Sequence, residues 1–284
     1  MSVIFSISIT PPADDVVSKI DGLLRDAPDP PAADFAGLCT LIESNLLVAV
    51  GMWGRCFRSE EHVSIEVVFD NSGRPLAGGT SKSAADFGQS QRCAGKTLII
   101  EGAAYQIAGH GTPADPGIVI TLPVNKYLTE GIWFDPDAIG GSQTVADDRV
   151  DAVTLFLHEM AHGLGFNGRL VQDSTRPDWG RPEQDWVSTY DEFVRFDGKN
   201  FFFDGPSAIA ENFGLTVPLS DRRGFNNNYH HLGNDAGQCA VGRSDLMTGY
   251  PWKVGHRYCI SRLDLAILKD IGPPPCEGSK RPAS

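Results

Sequence analysis

The chain has no C-x-x-C pair among its six cysteines (Cys39, Cys56, Cys93, Cys239, Cys259, Cys276), no stripe of Lys and Arg, no apolar run of bilayer length and no internal repeat. Each absence removes a class of protein. Without cysteines at ligand spacing a Cys-ligated structural zinc is disfavoured, while an even number of cysteines permits disulfides. Lys and Arg total 24 against 36 Asp and Glu, so the net charge is -12 and the pI about 4.9. A nucleic-acid binder needs a positive footprint that displaces phosphate counterions, so neither DNA nor RNA is expected as a partner. The longest nearly apolar run, LLVAVGMW at 46–53, is far shorter than the roughly 20 residues that cross a bilayer, and no membrane span is expected. The start, MSVIFSISITPPADD, has an apolar patch, but the first basic residue is Lys19, so the positive beginning of a signal peptide is missing. The cysteine count still favours a secreted or extracytoplasmic protein, with a cytoplasmic one as the alternative. Nothing in the sequence specifies an oligomeric state.

What is present reads as an α+β chain. A helical pattern at 14–25 ends in the Pro-rich DAPDPPAA at 26–33, which marks 1–33 as an N-terminal extension of undefined role. From Asp34, a plausible N-cap, to about Trp53, the residues Phe35, Leu38, Leu41, Ile42, Leu46 and Val50 recur at helical spacing. On one continuous helix Cys39 and Cys56 would lie about 25 Å apart and could not bond each other. HVSIEVVFD at 62–70, KTLIIEG at 96–102 and GIVITLP at 117–123 are rich in β-branched residues and read as strands. The third suits an edge strand to which an extended peptide adds, and equally an interior strand. Asp151 to about Leu164 reads as a buried helix, closing a lobe at 34–165. Residues 166–284 are loop-rich until ISRLDLAILKDIG at 260–272, a closing helix ended by Gly272 and three prolines.

The chemistry concentrates in LFLHEMAHGLGFNG at 155–168. Residues four apart on a helix share a face, so His158 and His162 can hold one zinc through ring nitrogens, with Glu159 in reach of a water on it. The bland alternative is a buried polar pair satisfied by hydrogen bonds. A catalytic zinc has three protein ligands and one open position. The remaining histidines are His62, at a strand start, His110, in a glycine-flanked loop, and His230, His231 and His256 near the C-terminus.

HEMAHGLGF resembles the metzincin branch of the zinc peptidases, H-E-x-x-H-x-x-G-x-x-H followed by a Met-turn. His158, Glu159, His162 and Gly165 match, but the place of the last His is Gly168. SDLMTG at 244–249 resembles the Met-turn, with Met247 as its methionine, and NYHHLGN stands before it. This order, with a long insertion before the third His, is similar to the leishmanolysin-like metzincins. His231, 69 residues beyond His162, is the third ligand the resemblance favours, with His230 as the alternative. The resemblance implies a zincin-like α+β domain and a Zn2+-dependent endopeptidase acting on extended polypeptides, a zinc-activated water being the nucleophile and Glu159 the general base. It implies that Met247 packs beneath the metal, and it suggests Tyr250, or less directly Tyr258, as a donor to the oxyanion. A gluzincin would instead take Glu183 or Glu192 as third ligand, with TYDEFVRF as a helix, and would leave Gly165 and Met247 without a role. A metal-stabilised binding or adhesion protein would need no base at Glu159. Ca2+ is a further candidate on the carboxylates of WFDPDA and ADDRVD, without a D-x-D-x-D-G loop to hold it. Cys239 and Cys259, around the Met-turn, are candidates for a disulfide.

Overall fold

The computed structural model describes residues 3–93, 95–141, 144–171, 180–182, 184–220, 229–233, 245–249 and 251–272. In chain order, β1 (Ile4–Ile9), α1 (Asp14–Asp26) and α2 (Phe35–Gly54) precede β2 (His62–Asp70), β3 (Gly78–Ser81), β4 (Ala84–Gln89) and β5 (Thr97–Glu101). The short α3 (Gly102–Ile107) and strands β6 (Ile118–Pro123), β7 (Ile132–Trp133) and β8 (Val150–Asp151) lead into α4 (Ala152–Gly163). Strands β9 (Trp186–Ser188), β10 (Val194–Phe196), β11 (Phe201–Phe203) and β12 (Val217–Pro218), with α5 (Pro206–Glu211) and α6 (Arg262–Ile271), follow. The fold is mixed α+β.

The principal sheet has the order β1-β2-β6-β3. β1, β2 and β6 run parallel, and β3 pairs antiparallel with β6, Gly79 opposite Ile120. Alternate residues of the middle strands, Val63, Ile65 and Val67 and then Ile118, Ile120 and Leu122, are buried, the period of two expected of a pleated strand. β6 is therefore interior, and the edge on that side is β3. The residues before Asp34 are part of the sheet as well: β1 forms its other edge, and Val3 is buried.

Two helices carry the sheet's apolar face. α2 begins where Asp34 accepts a hydrogen bond from Gly37 N at 2.8 Å, a side-chain N-cap. With a mean hydropathy of 1.6 over its apolar window, α2 is long and apolar enough to cross a membrane; here Leu38, Ile42, Leu46, Ala49 and Trp53 lie in the core. Trp53 Nε1 donates to Leu157 O of α4 at 3.0 Å, which fixes the two helices against each other. The same contiguous core continues through Phe203, Leu232, Met247, Ile267 and Leu268.

The half beyond residue 166 holds more regular structure than its sequence pattern suggests. β10, β11 and β12 form an antiparallel sheet, and β9 joins β4 and β5 in another. TYDEFVRF is not a helix: Asp191–Phe193 is a 3-10 turn and Val194 begins β10. Cys39, Cys93 and Cys259 carry free thiols, and Cys239 and Cys276 lie outside the described residues, as does any pairing with them.

Candidate metal centre

α4 starts at Asp151, whose carboxylate accepts from Thr154 N at 2.9 Å and Thr154 Oγ1 at 2.8 Å. A second anchor is Arg257, which bonds both Asp151 and Asp135, two carboxylates with no exposure at all. The acidic residues of WFDPDA and ADDRVD that suggested calcium thus include two held by one guanidinium. Four residues apart on this helix, His158 and His162 bring their Nε2 atoms to 3.2 Å. The helix ends at Gly163, and two residues on the chain turns at Gly165, whose φ of 126° suits a residue without a Cβ. The reversal places Phe166 O 2.7 Å from His162 Nδ1.

His231 arrives from the far end of the chain. Leu232 N donates to Met247 O, and Gly249 N donates to Leu232 O, each at 2.7 Å, so the His231 segment and the Met247 turn are stitched together. The turn is itself pinned to α6: Leu246 N and Met247 N donate to the buried Asp264 carboxylate at 3.0 and 3.3 Å. Met247 has no exposure, and Leu246 O lies 3.2 Å from His158 Nδ1. His231 Nε2 ends 3.1 Å from His158 Nε2. The ligand atoms of His158, His162 and His231 all lie within 4.8 Å of one another.

This donor set fits a metal ion. Carbonyl oxygens only accept, so Phe166 O and Leu246 O fix the ring protons of His162 and His158 on Nδ1 and leave both Nε2 lone pairs facing inward. Two lone pairs at 3.2 Å repel unless a cation lies between them. Burial first, then the neighbouring His162 and His231, holds His158 well below its ordinary pKa, and burial lowers His162, so the imidazoles are neutral. Nitrogens bound to tetrahedral zinc at roughly 2.0 to 2.1 Å stand about 3.3 Å apart. The observed 3.1 and 3.2 Å are within tenths of that.

Glu159 is buried beside this cluster, and burial pushes its carboxyl up to about 8 against the opposing pull of Arg74 and of a hydrogen bond from Gly79 N. Gly79 belongs to the edge strand β3, which approaches α4 so closely that a Cβ there would overlap the Glu159 carbonyl oxygen and lie 2.5 Å from its carbon. A cleft of about 840 Å³ opens over the three histidines, bounded by Arg74, Leu76, Tyr127, Trp252 and Val254. Trp252 packs edge-on against His158 with ring centroids 4.8 Å apart. The Tyr127 phenol is raised to about 12 by burial and then by the Glu159 charge, so it stays a hydrogen-bond donor.

The other candidates fall elsewhere. His230 lines the cleft but is outside the three-histidine group, its ring packed on Tyr229 and Tyr190. Glu192 accepts from Ser90 Oγ and Gln91 N and does not join the histidines. Tyr258 Oη accepts from Lys253 N at 3.1 Å, and Tyr258 N donates to Thr154 Oγ1. His62 heads β2, and His110 packs between Phe87 and Tyr105. Tyr250 and Glu183 lie outside the described residues. Sequence reasoning missed Gly79, Tyr127, Trp252, Arg257 and Asp264; only the pair of glycines in GGTS hinted at a close backbone approach. No family model matches the chain, and neither a curated protein nor a solved structure is significantly similar to it.

Proposed function

We propose that this chain is a zinc-dependent endopeptidase of the metzincin type, with His158, His162 and His231 as metal ligands and Glu159 as general base. The observation that carries this reading is the convergence of three imidazole Nε2 atoms beside a buried carboxylate at the floor of an open cleft. Zinc held there would supply Lewis-acid polarisation of a carbonyl and a water acidified to a pKa of about 7.

The chain's own residues do the rest. Glu159, as the carboxylate that a neighbouring cation would favour, takes a proton from water and hands it to the departing amine. Its position is fixed by α4 on one side and by the Gly79 N–H on the other. β3, an edge strand among the described residues, offers backbone donors and acceptors to an extended polypeptide, which adds as a further strand antiparallel or parallel to it. Leu76, Trp252 and Val254 then line the places for apolar side chains of the substrate. Tyr127, which also lines the cleft, is a hydrogen-bond donor available to a bound substrate.

The test pairs bound zinc with cleavage of casein or a peptide library, with and without chelator, in the wild type and in Glu159→Ala, His231→Ala, His230→Ala and Glu192→Ala. Expected are zinc without cleavage in Glu159→Ala and loss of both in His231→Ala, with His230→Ala and Glu192→Ala still metallated. A metallated, active His231→Ala overturns the ligand set. A wild type that holds zinc and cuts nothing overturns the peptidase and favours a binding protein.

A further inference from the structure

The place where a compact motif would carry its third histidine is already filled. A Cβ on Gly168 would overlap the Tyr229 hydroxyl and ring and lie 2.5 Å from Asp191 Oδ1. Asp191 is 2% exposed, yet its carboxylate collects four hydrogen bonds. Tyr229 Oη donates to Oδ1 at 2.7 Å; Arg169 N, Ser188 N and Ser188 Oγ donate to Oδ2 at 2.8, 3.0 and 2.9 Å. Tyr229 Oη in turn accepts from Leu170 N at 2.6 Å, and Tyr229 O accepts from Tyr190 Oη at 2.9 Å. Tyr229 is itself buried and stacks on Phe201 with centroids 4.9 Å apart.

We infer that Asp191 and Tyr229 are positioning residues that seat the third ligand, a reading that rests on the metal centre above. His231 follows Tyr229 by two residues, too few for the two to move independently. Its segment is held where Ser220 N donates to His231 O and Gly233 N to Pro218 O, each at 2.8 Å, and two further contacts bear on the metal site. The Leu232 hydrogen bonds tie it to the Met247 turn, and the Asp191–Tyr229 pair ties it to residues 168–170, the stretch that leaves the metal helix. The first reaches the metal helix through Leu246 O on His158 Nδ1, and the second refers His231 to the segment that leaves that helix. The pair is a unit: removing the phenol oxygen leaves both a buried carboxylate oxygen and the Leu170 N–H without that partner, a burial cost that a shift of the segment relieves.

The experiment uses the full chain stripped of metal. Zinc affinity is measured by competition with a chromophoric chelator for wild type, Tyr229→Phe and Asp191→Asn, and the cobalt-substituted forms are compared by visible absorption, which reports coordination number. Gln106→Ala, at a buried polar residue of α3 that bonds Glu61 and His62 O and belongs to neither the cleft lining nor the three-histidine group, controls for a general loss of stability. Expected are zinc affinities about 10- to 100-fold weaker for both variants, a fall in cobalt absorbance as the tetrahedral site opens, and wild-type affinity for Gln106→Ala. If Asp191→Asn fails to fold, Tyr229→Phe, which keeps the ring, decides alone. Affinity within about twofold of wild type, or a loss no greater than that of Gln106→Ala at equal melting temperature, overturns the clamp while the metal centre stands. A wild type that takes up no zinc overturns both.

Discussion

The closest approach in the site is between β3 and α4, and Gly79→Ala tests it. The new methyl would stand 2.5 Å from the Glu159 carbonyl carbon and 2.8 Å from its Cα, where ordinary contacts begin near 3.4 Å. The obstacle is helix backbone, which has no rotamer to change, so the strand must withdraw by about 1 Å. Overpacking of this kind costs roughly 1 to 3 kcal/mol, and a backbone obstacle puts the figure at the upper end. For a chain of this length that is a fall in melting temperature of about 4 to 8 °C, read by calorimetry on the metal-free protein. The same withdrawal lengthens the Gly79 N–H bond to Glu159 and moves the edge that would align a substrate. A displacement near 1 Å is worth on the order of 10²-fold in turnover, so kcat/KM on a peptide substrate should fall by that factor. Gly22→Ala in α1 supplies the opposite sign, because the nearest atom to its Cβ is 3.9 Å away and alanine favours a helix interior by roughly 0.5 to 1 kcal/mol. A Gly79→Ala protein that melts within about 1 °C of wild type and cleaves as well would refute the close packing of β3 on the helix.

Arg257→Ala leaves the carboxylates of Asp135 and Asp151 buried without their cation, so urea unfolding should show a loss of about 3 to 5 kcal/mol. Glu101, buried at the end of β5, is raised from 4.5 to about 7 chiefly by burial, against Arg169 and Asn167. The folded state therefore holds that proton more tightly than the unfolded chain, and its share of stability, present below about 4.5, is lost as pH rises through 7. Glu101→Gln should flatten that part of the stability-versus-pH curve, an effect of about 3 kcal/mol at most, and an unchanged slope would reject the assignment. Zinc at about 1,000 times its Kd should stabilise the chain by roughly 4 kcal/mol, seen as a higher melting temperature that chelator reverses and His158→Ala abolishes.

Legibility in the sequence followed the range of the interactions. Asp34 as N-cap, the ends of α2, α4 and α6, and the strands at 62–70 and 118–123 rest on local periodicity and capping, and could be read directly. β1 was hidden because IFSISI alternates with serine and lies beside a helix, and β3 because GGTS has no strand propensity of its own; pairing with β6 makes it a strand. The helical appearance of TYDEFVRF yields to tertiary context, in which Asp191 turns inward and Phe196 pairs across to Phe201. Within the site, His158, Glu159 and His162 are one helical turn and announce themselves. Asp191, Tyr229, Arg257 and Asp264 do not, because a buried carboxylate or phenol is informative only once its partner, 17 to 122 residues away, is known.

The exclusion of a side chain at Gly168 also sets the order in which the site can assemble. Two ligands share a single helical turn, while the third closes a loop of 69 residues where a compact motif would close one of 6. Loop-closure entropy rises as (3/2)RT ln n, so that difference costs about 2 kcal/mol more chain entropy in bringing the last nitrogen home. An unfolded chain thus presents only a bidentate half-site, and the full donor set forms once the 69-residue loop to His231 has closed. A cation captured there acts as a latch, holding shut the loop between the second ligand and the third.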